Sequence, residues 1–280
     1  MQTQERKAEK FFAMHKEGDC FLVPNPWDVG SLRLLEWLGF EAFATTSAGV
    51  AFSNGVPDLS IDKARLMAHL AALCEATDAP ITADLQNGFG DTPEAAAVAI
   101  QEAAAAGVVG ASIEDASQTK PSGIYDIGLA KDRIRAAAEA ARALPYRFTL
   151  TARAENYFCG VYDLADTIRR LQAFQEAGAD VLFAPGVGTM DEIRAIVSSV
   201  DRPVNVLVGP TDSAVTLATL RNLGVRRVSV GGSLARAAYG ALLRAGREML
   251  IEGRFTYVND AVDGRSLNAV FLNAASRRAS

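Results

Sequence analysis

The sequence predicts an α/β chain folded as a (β/α)8 barrel of the TIM type, and three observations carry that reading. First, four segments share one outline: Leu38-Gly39-Phe40-Glu41 into 42–46, Ala106-Gly107-Val108-Val109 into 110–115, Ala177-Gly178-Ala179-Asp180 into 181–185, and Leu223-Gly224-Val225-Arg226 into 227–231. Each is a helix end, a glycine suited to a left-handed cap, and a short apolar run of the kind buried on both faces of a parallel sheet. Second, four more candidate strands, at 20–25, 80–86, 147–155 and 203–209, fall between these, and helix-like stretches separate all eight. Third, no glycine-rich dinucleotide fingerprint follows the first strand, which weighs against the doubly wound open sheet that the same alternation permits. Eight units over 280 residues leave 35 residues each, close to the spacing of a barrel of about 250 residues.

The elements follow in order. Residues 1–18 read as an extra N-terminal helix ahead of strand 1. Ser60–Thr77, Thr92–Ala106 and Asp163–Ala177 place apolar residues at three- and four-residue spacing, the period of a helix with one buried face. Thr92-Pro93-Glu94 supplies an N-cap, a proline at the first helical position and an early acid. Asp163, and Asp212 or Ser213, are placed to cap two more helices. Residues 233–280 read as a long helix followed by an irregular tail. No Pro/Ser/Gly linker interrupts the chain, so residues 1–280 are expected to form a single barrel domain.

Composition narrows the function classes. Hydrophobic residues make up 49% and charged residues 22% of the 29.7 kDa chain, and the net charge is −5. An acidic chain of this kind is not expected to bind nucleic acid or an anionic membrane, which need clustered Lys and Arg. No apolar run approaches the roughly 20 residues of a membrane span, and the polar start Met1–Lys7 is unlike a secretory leader. Three scattered cysteines (Cys20, Cys74, Cys159) and two histidines (His15, His69) offer no zinc-ligand spacing. Reduced thiols and a cytoplasmic location are the expectation.

Barrel chemistry sits at the carboxyl ends of the strands. There strands 3, 4 and 5 deliver Asp84-Leu85-Gln86, Glu114-Asp115 and Arg153-Ala154-Glu155 side by side. Two carboxylates with amide and water oxygens suit a hard cation such as Mg²⁺. A neighbouring arginine is suited to gripping a substrate carboxylate with its planar fork. The same residues would equally make a buried ion-pair network closing the top of the barrel. Ser47-Ala48-Gly49 reads either as backbone N–H groups presented to an oxyanion or as a tight turn. Asp58 reads as a loop acid near the site or as a turn and cap residue. The polar stretch 116–123, with Lys120, reads as a mobile lid or a plain surface loop. Asn205 ends strand 7.

With these residues in hand, the chain resembles the isocitrate lyase/phosphoenolpyruvate mutase superfamily over roughly residues 8–255. The likeness rests on Asn25–Asp28, Thr46-Ser47-Ala48-Gly49, Gly55-Val56-Pro57-Asp58, Asp84–Gly90, Ser112–Asp115 and Thr151-Ala152-Arg153, in that order. The resemblance implies a Mg²⁺-dependent (or Mn²⁺-dependent) enzyme that makes or breaks a C–C bond next to the carbonyl of a small 2-oxo acid or dicarboxylate through an enolate. It implies Asp84 and Glu114 as metal ligands with Gln86 in the outer shell. Asp58, Lys120 and Arg153 would be catalytic, and Ser47, Ala48, Gly49, Arg153 and Asn205 would bind substrate. It also implies a homotetramer in which the final barrel helix, apolar over much of 234–243, packs on a neighbouring subunit. The chain departs from the family pattern at three places. Gln86 replaces the second acid of the metal motif. The lid lacks the Lys-(Lys/Arg)-Cys-Gly-His run of the isocitrate and methylisocitrate lyases, with neither Cys74 nor Cys159 in that segment. Ser122 and Ala184-Pro185 replace residues of the phosphoenolpyruvate mutases. Phosphonopyruvate or phosphoenolpyruvate mutase or hydrolase chemistry is the alternative activity, and non-catalytic binding of 2-oxo acids is the alternative from another class.

Overall fold

A computed structural model of the protein describes residues 2–117, 123–209 and 215–279, with side chains described to residue 272. Eight parallel strands form one sheet: β1 (Phe21–Val23), β2 (Phe43–Ala44), β3 (Ile81–Asp84), β4 (Gly110–Glu114), β5 (Thr149–Arg153), β6 (Val181–Phe183), β7 (Val204–Leu207) and β8 (Arg227–Ser229). Their order, β1-β8-β7-β6-β5-β4-β3-β2, wraps the sheet into a nearly closed TIM-type barrel. Across the remaining seam the Ala44 N–H donates to Pro24 O at 3.1 Å. The strands are shorter than the runs that announce them because the barrel needs only a few residues of ladder per strand, and the flanking residues turn outward into loops.

Among the described residues, eleven α-helices accompany the strands: α1 (Gln4–Lys16), α2 (Val29–Trp37), α3 (Ser47–Ser53), α4 (Lys63–Ala76), α5 (Pro93–Ala105), α6 (Ile127–Arg142), α7 (Leu164–Ala177), α8 (Met190–Ser198), α9 (Leu217–Asn222), α10 (Ser233–Arg247) and α11 (Gly264–Ala279). The four repeat glycines all take positive φ, from +84° at Gly224 to +109° at Gly178, a region that a Cβ penalises. Thr92 and Asp163 cap α5 and α7 as expected. The cap of α9 is Thr216, and Asp212 and Ser213 lie outside the described residues. α4 starts later than Ser60 because Asp62, not an earlier residue, accepts the capping bond from Arg65 N–H.

Two elements differ from the sequence reading. Ser47-Ala48-Gly49 is not a tight turn between strand and loop. It is the first turn of α3, started by Thr46, whose hydroxyl accepts from Gly49 N–H. The segment after α10 is not an irregular tail. A π-helical turn (Glu248–Glu252) and a 3-10 turn (Thr256–Asn259) lead into α11. There Asp263 accepts from Arg265 and Ser266 N–H groups, and Val270 is buried.

Strand alternation sorts the side chains. On β5, Leu150 and Ala152 enter the apolar layer between sheet and helices. Thr151 and Arg153 face the interior, where their partners are Arg227 and Asp84. The barrel axis is therefore polar. α1 lies against the N-terminal ends of the strands: Phe11 is fully buried there, against Gly110. A Cβ at Gly110 would fall 2.8 Å from Thr149 O, so glycine is what lets β4 and β5 pair closely at that end.

Candidate active site

At the carboxyl ends of the strands the structure encloses a cavity of about 630 Å³. One wall is ionic. Arg153, at the end of β5, is surrounded by three carboxylates: Nη1 lies 2.8 Å from Asp84 Oδ1 and 3.2 Å from Glu114 Oε2, and Nη2 lies 2.9 Å from Glu155 Oε1. Nε also donates to Glu155 Oε1, at 3.0 Å. The register explains the meeting, since β4 and β5 pair Glu114 with Arg153 directly and β3 ends in Asp84 beside Ser112 of β4. Burial depresses the arginine's affinity for its proton, but Glu155, Glu114 and Asp84 outweigh it and hold the guanidinium charged. Burial also pushes the Glu114 carboxyl well above its usual range, with Arg153 pulling it back only in part. The Glu155 carboxyl is raised to about 7 for the same first reason.

The structure brings together most of the residues singled out in the sequence. Asp58, Ser47, Ala48, Asp84, Glu114, Arg153 and Asn205 all line the cavity. Ser47 N–H donates to Asp84 Oδ2 at 3.2 Å, so the first turn of α3 is tied to the ionic wall. Gly49 is buried behind that turn, its N–H held by Thr46. Asp58 is exposed at the mouth, accepting from Leu59 N–H at 2.8 Å. Asn205 is buried and bonded on both sides of its amide, donating to Ser229 Oγ at 3.0 Å and accepting from Arg227 Nε at 2.8 Å. Gln86 does not join the cavity lining. It is 5% exposed, with φ of +52°. Lys120 lies outside the described residues.

Asp115 turns away from the cavity, as alternation after Glu114 requires. It accepts from Glu155 N–H at 2.7 Å and pairs with Arg170 of α7 at 3.0 Å. Burial lifts its carboxyl to about 6.

Three participants escaped the sequence reading. Arg133 of α6 is almost fully buried and donates to the carbonyls of Asn87, Gly90 and Thr92, which fixes the loop after β3. Its signal was an arginine on the same helix face as Ala130, Ile134 and Ala137. Cys159, from the loop after β5, lines the cavity and donates its thiol to Gly123 O at 3.0 Å. Burial pushes that thiol up to about 11. Arg227 enters the cavity from β8, with no sequence signal beyond its place at a strand start.

Among the described residues no group of three or more His, Cys, Asp or Glu side chains is placed to hold a metal. Asp84 and Glu114 nevertheless share one arginine nitrogen. With Glu155, three acids face one guanidinium, and a dication placed there would favour the ionised forms that burial disfavours. Mg²⁺ is commonly held by one or two carboxylates and completes its shell with water, so these oxygens fit it.

Fold and site together define a TIM-type barrel with a polar, acid-and-arginine pocket at the carboxyl ends of its strands. The chain matches the phosphoenolpyruvate phosphomutase family over residues 11–250 and belongs to it, within the isocitrate lyase/PEP mutase superfamily. A protein of Burkholderia cenocepacia J2315, whose crystal structure is described with lyase and mutase as alternatives, is 53% identical, with a TM-score of 0.94 and 96% of each chain covered. An oxaloacetate decarboxylase of Rhodopseudomonas palustris (strain BisB18) is 30% identical over 224 residues, 75% of this chain and 73% of the relative. A phosphonopyruvate hydrolase in complex with oxalate and Mg²⁺ shares the fold, with a TM-score of 0.85 at 24% identity over 99% of this chain and 98% of that one.

Proposed function

We propose that this protein is a lyase that makes or breaks a C–C bond next to the carbonyl of a small 2-oxo acid or dicarboxylate, through an enolate. The observation that carries the reading is the meeting of Asp84, Glu114, Arg153 and the first turn of α3 in one cavity. Asp84 and Glu114 would hold Mg²⁺ (or Mn²⁺), which supplies positive charge beside the carbonyl oxygen when bound. Arg153 keeps the two carboxylates converged through Nη1, and would have to yield part of that contact for Asp84 and Glu114 to hold a cation. Ser47 and Ala48 offer backbone N–H groups to a substrate carboxylate once Ser47 is released from Asp84. In the cleavage direction, for a four-carbon 2-oxo dicarboxylate, the C–C bond breaks, the distal carboxylate leaves as CO2 and the electron pair stays on the carbon next to the carbonyl as an enolate. That carbon then takes a proton from water. The oxaloacetate decarboxylase relative supports a four-carbon 2-oxo dicarboxylate, the resemblance together with the exposed apolar residues of α10 supports a homotetramer, and the free thiols of Cys20, Cys74 and Cys159 support a cytoplasmic location.

Asp58 at the cavity mouth favours a second reading, phosphonopyruvate hydrolysis or mutation, in which a P–C bond takes the place of the C–C bond. The experiment is to add oxaloacetate or phosphonopyruvate with Mg²⁺ and follow pyruvate. Release from oxaloacetate supports the lyase, and from phosphonopyruvate alone either release of pyruvate (hydrolysis) or formation of phosphoenolpyruvate (mutation) supports the second reading. Binding of 2-oxo acids with no turnover across a broad panel would make the protein a binder.

A further inference from the structure

The floor of the cavity carries a positive charge that the ionic wall does not neutralise. Arg227 lines the cavity and is 4% exposed. Its guanidinium donates to three neutral acceptors: Asn205 Oδ1 at 2.8 Å, Thr151 Oγ1 at 3.0 Å and His15 Nε2 at 3.3 Å. No carboxylate pairs with it among the described residues. His15 is a neutral acceptor here: its Nδ1–H is held by Phe11 O at 2.8 Å, which leaves Nε2 to accept, and burial beside Arg227 keeps the ring unprotonated. A guanidinium carries five N–H donors, so two remain without an acceptor among the described residues. A buried cation held only by neutral groups is costly. Asn205 and Ser229 stand beside it, hydrogen-bonded to each other and lining the same cavity. Arg153, by contrast, already has three carboxylates.

We propose that Arg227, with Asn205 and Ser229, forms a second anion subsite that binds the distal carboxylate of the substrate, and so selects 2-oxo dicarboxylates over monocarboxylates. This rests on the lyase reading above and deepens it. The 2-oxo acid end meets Asp84, Glu114 and the first turn of α3, and the far carboxylate lies at the floor. In that arrangement the guanidinium of Arg227 meets the carboxylate that the proposed metal site does not hold, which makes Arg227 a specificity-determining residue.

The test uses a matched pair of stable 2-hydroxy acids, malate and 2-hydroxybutanoate, which differ only in a carboxylate replacing a methyl group. Their affinities are measured by calorimetry on the full chain with Mg²⁺. The wild type should prefer malate by roughly 10- to 100-fold, the span of one or two charged hydrogen bonds. Arg227→Met should abolish that preference by weakening malate alone. Arg227→Lys, which keeps the charge, should retain part of it and serves if the methionine variant does not fold. Equal affinity of the wild type for both acids overturns the proposal. So does an Arg227 variant that weakens both acids equally, or one that lowers the thermal midpoint and leaves both affinities unchanged. If neither acid, nor pyruvate, nor oxaloacetate binds the wild type, the lyase reading itself fails.

Discussion

Arg153 Nη1 stands 2.8 Å from Asp84 Oδ1, and the same nitrogen reaches Glu114 Oε2 at 3.2 Å. One guanidinium thus bridges the two carboxylates proposed to hold the metal, and does so with both ends nearly out of water. Removing one partner of such a buried cluster leaves charge without compensation, at a cost of about 3–5 kcal/mol.

Arg153→Lys is therefore expected to fold and to bind 2-oxo acids more weakly. Lysine keeps the charge but cannot face Glu155 and the Asp84–Glu114 pair at once, because it lacks the planar fork. The loss should be about 1.5–3 kcal/mol if one charged hydrogen bond goes. Arg153→Ala should also lower the thermal midpoint strongly. Keto-acid affinity at matched Mg²⁺, read beside the midpoint, separates the two roles. A lowered midpoint with unchanged affinity in the lysine variant would leave Arg153 a structural ion-pair residue.

Metal binding is expected to depend on Asp84. Asp84→Asn removes a full negative charge from the proposed pair while keeping shape, and Mg²⁺ affinity by calorimetry should fall at least about tenfold, as expected when a close charge partner is lost. Gln86→Asp adds a charge next to that site, since Gln86 N–H already donates to Asp84 Oδ1 at 3.3 Å. Buried and unpaired, that aspartate should lower the midpoint without metal and regain stability as Mg²⁺ is added. A midpoint indifferent to Mg²⁺ would place Gln86 outside the metal's reach.

Much of this site was legible because barrels put chemistry at strand ends and alternation assigns each side chain a face. Glu114 inward and Asp115 outward follow from position alone. What stayed hidden depended on chain segments meeting from afar. Thr46 turns Ser47-Ala48-Gly49 into a helix start by a capping bond, and that bond competes evenly with a turn in the bare sequence. Arg227 meets His15 across 212 residues, and Cys159 reaches the cavity from a loop with no motif. Asp263 starts α11 with one residue, too little for periodicity to reveal.

The pH dependence of stability should carry the mark of Glu155. Burial raises its carboxyl to about 7 against a usual 4.5, so the folded state holds the proton more tightly than the unfolded one. Its contribution is full below pH 4.5 and is lost as pH rises through 7. His15 acts in the opposite sense, since burial lowers it from 6.5 to about 3 and stability is lost as pH falls through that range. Comparing Glu155→Gln with the wild type cancels the His15 effect. Without metal, the midpoint of the wild type relative to the variant should drop between pH 4.5 and 7. A difference that stays flat over that window would mean Glu155 is ionised throughout.

Assembly is tested by the far end of the chain. α10 is the eighth helix of the barrel, yet Ala235 is its one buried residue among the described side chains. Leu242 is 64% exposed, and in the turn that follows Leu250 and Ile251 are 88% and 76% exposed. Large apolar side chains exposed to this degree on neighbouring turns are what protein interfaces use. The helix does not bury this surface against its own barrel, and a second copy of the chain is the partner proposed for it, as the family resemblance implies. Sedimentation at micromolar concentration should therefore give an oligomer, with a tetramer expected. Leu250→Glu together with Ile251→Glu should lower the mass, because charges buried at an interface without partners oppose association. Both substitutions lie in the π-helical turn after α10, away from the cavity, so the barrel should keep its far-ultraviolet circular dichroism. A wild-type monomer, or an oligomer indifferent to both glutamates, would show that this surface is not where the copies meet.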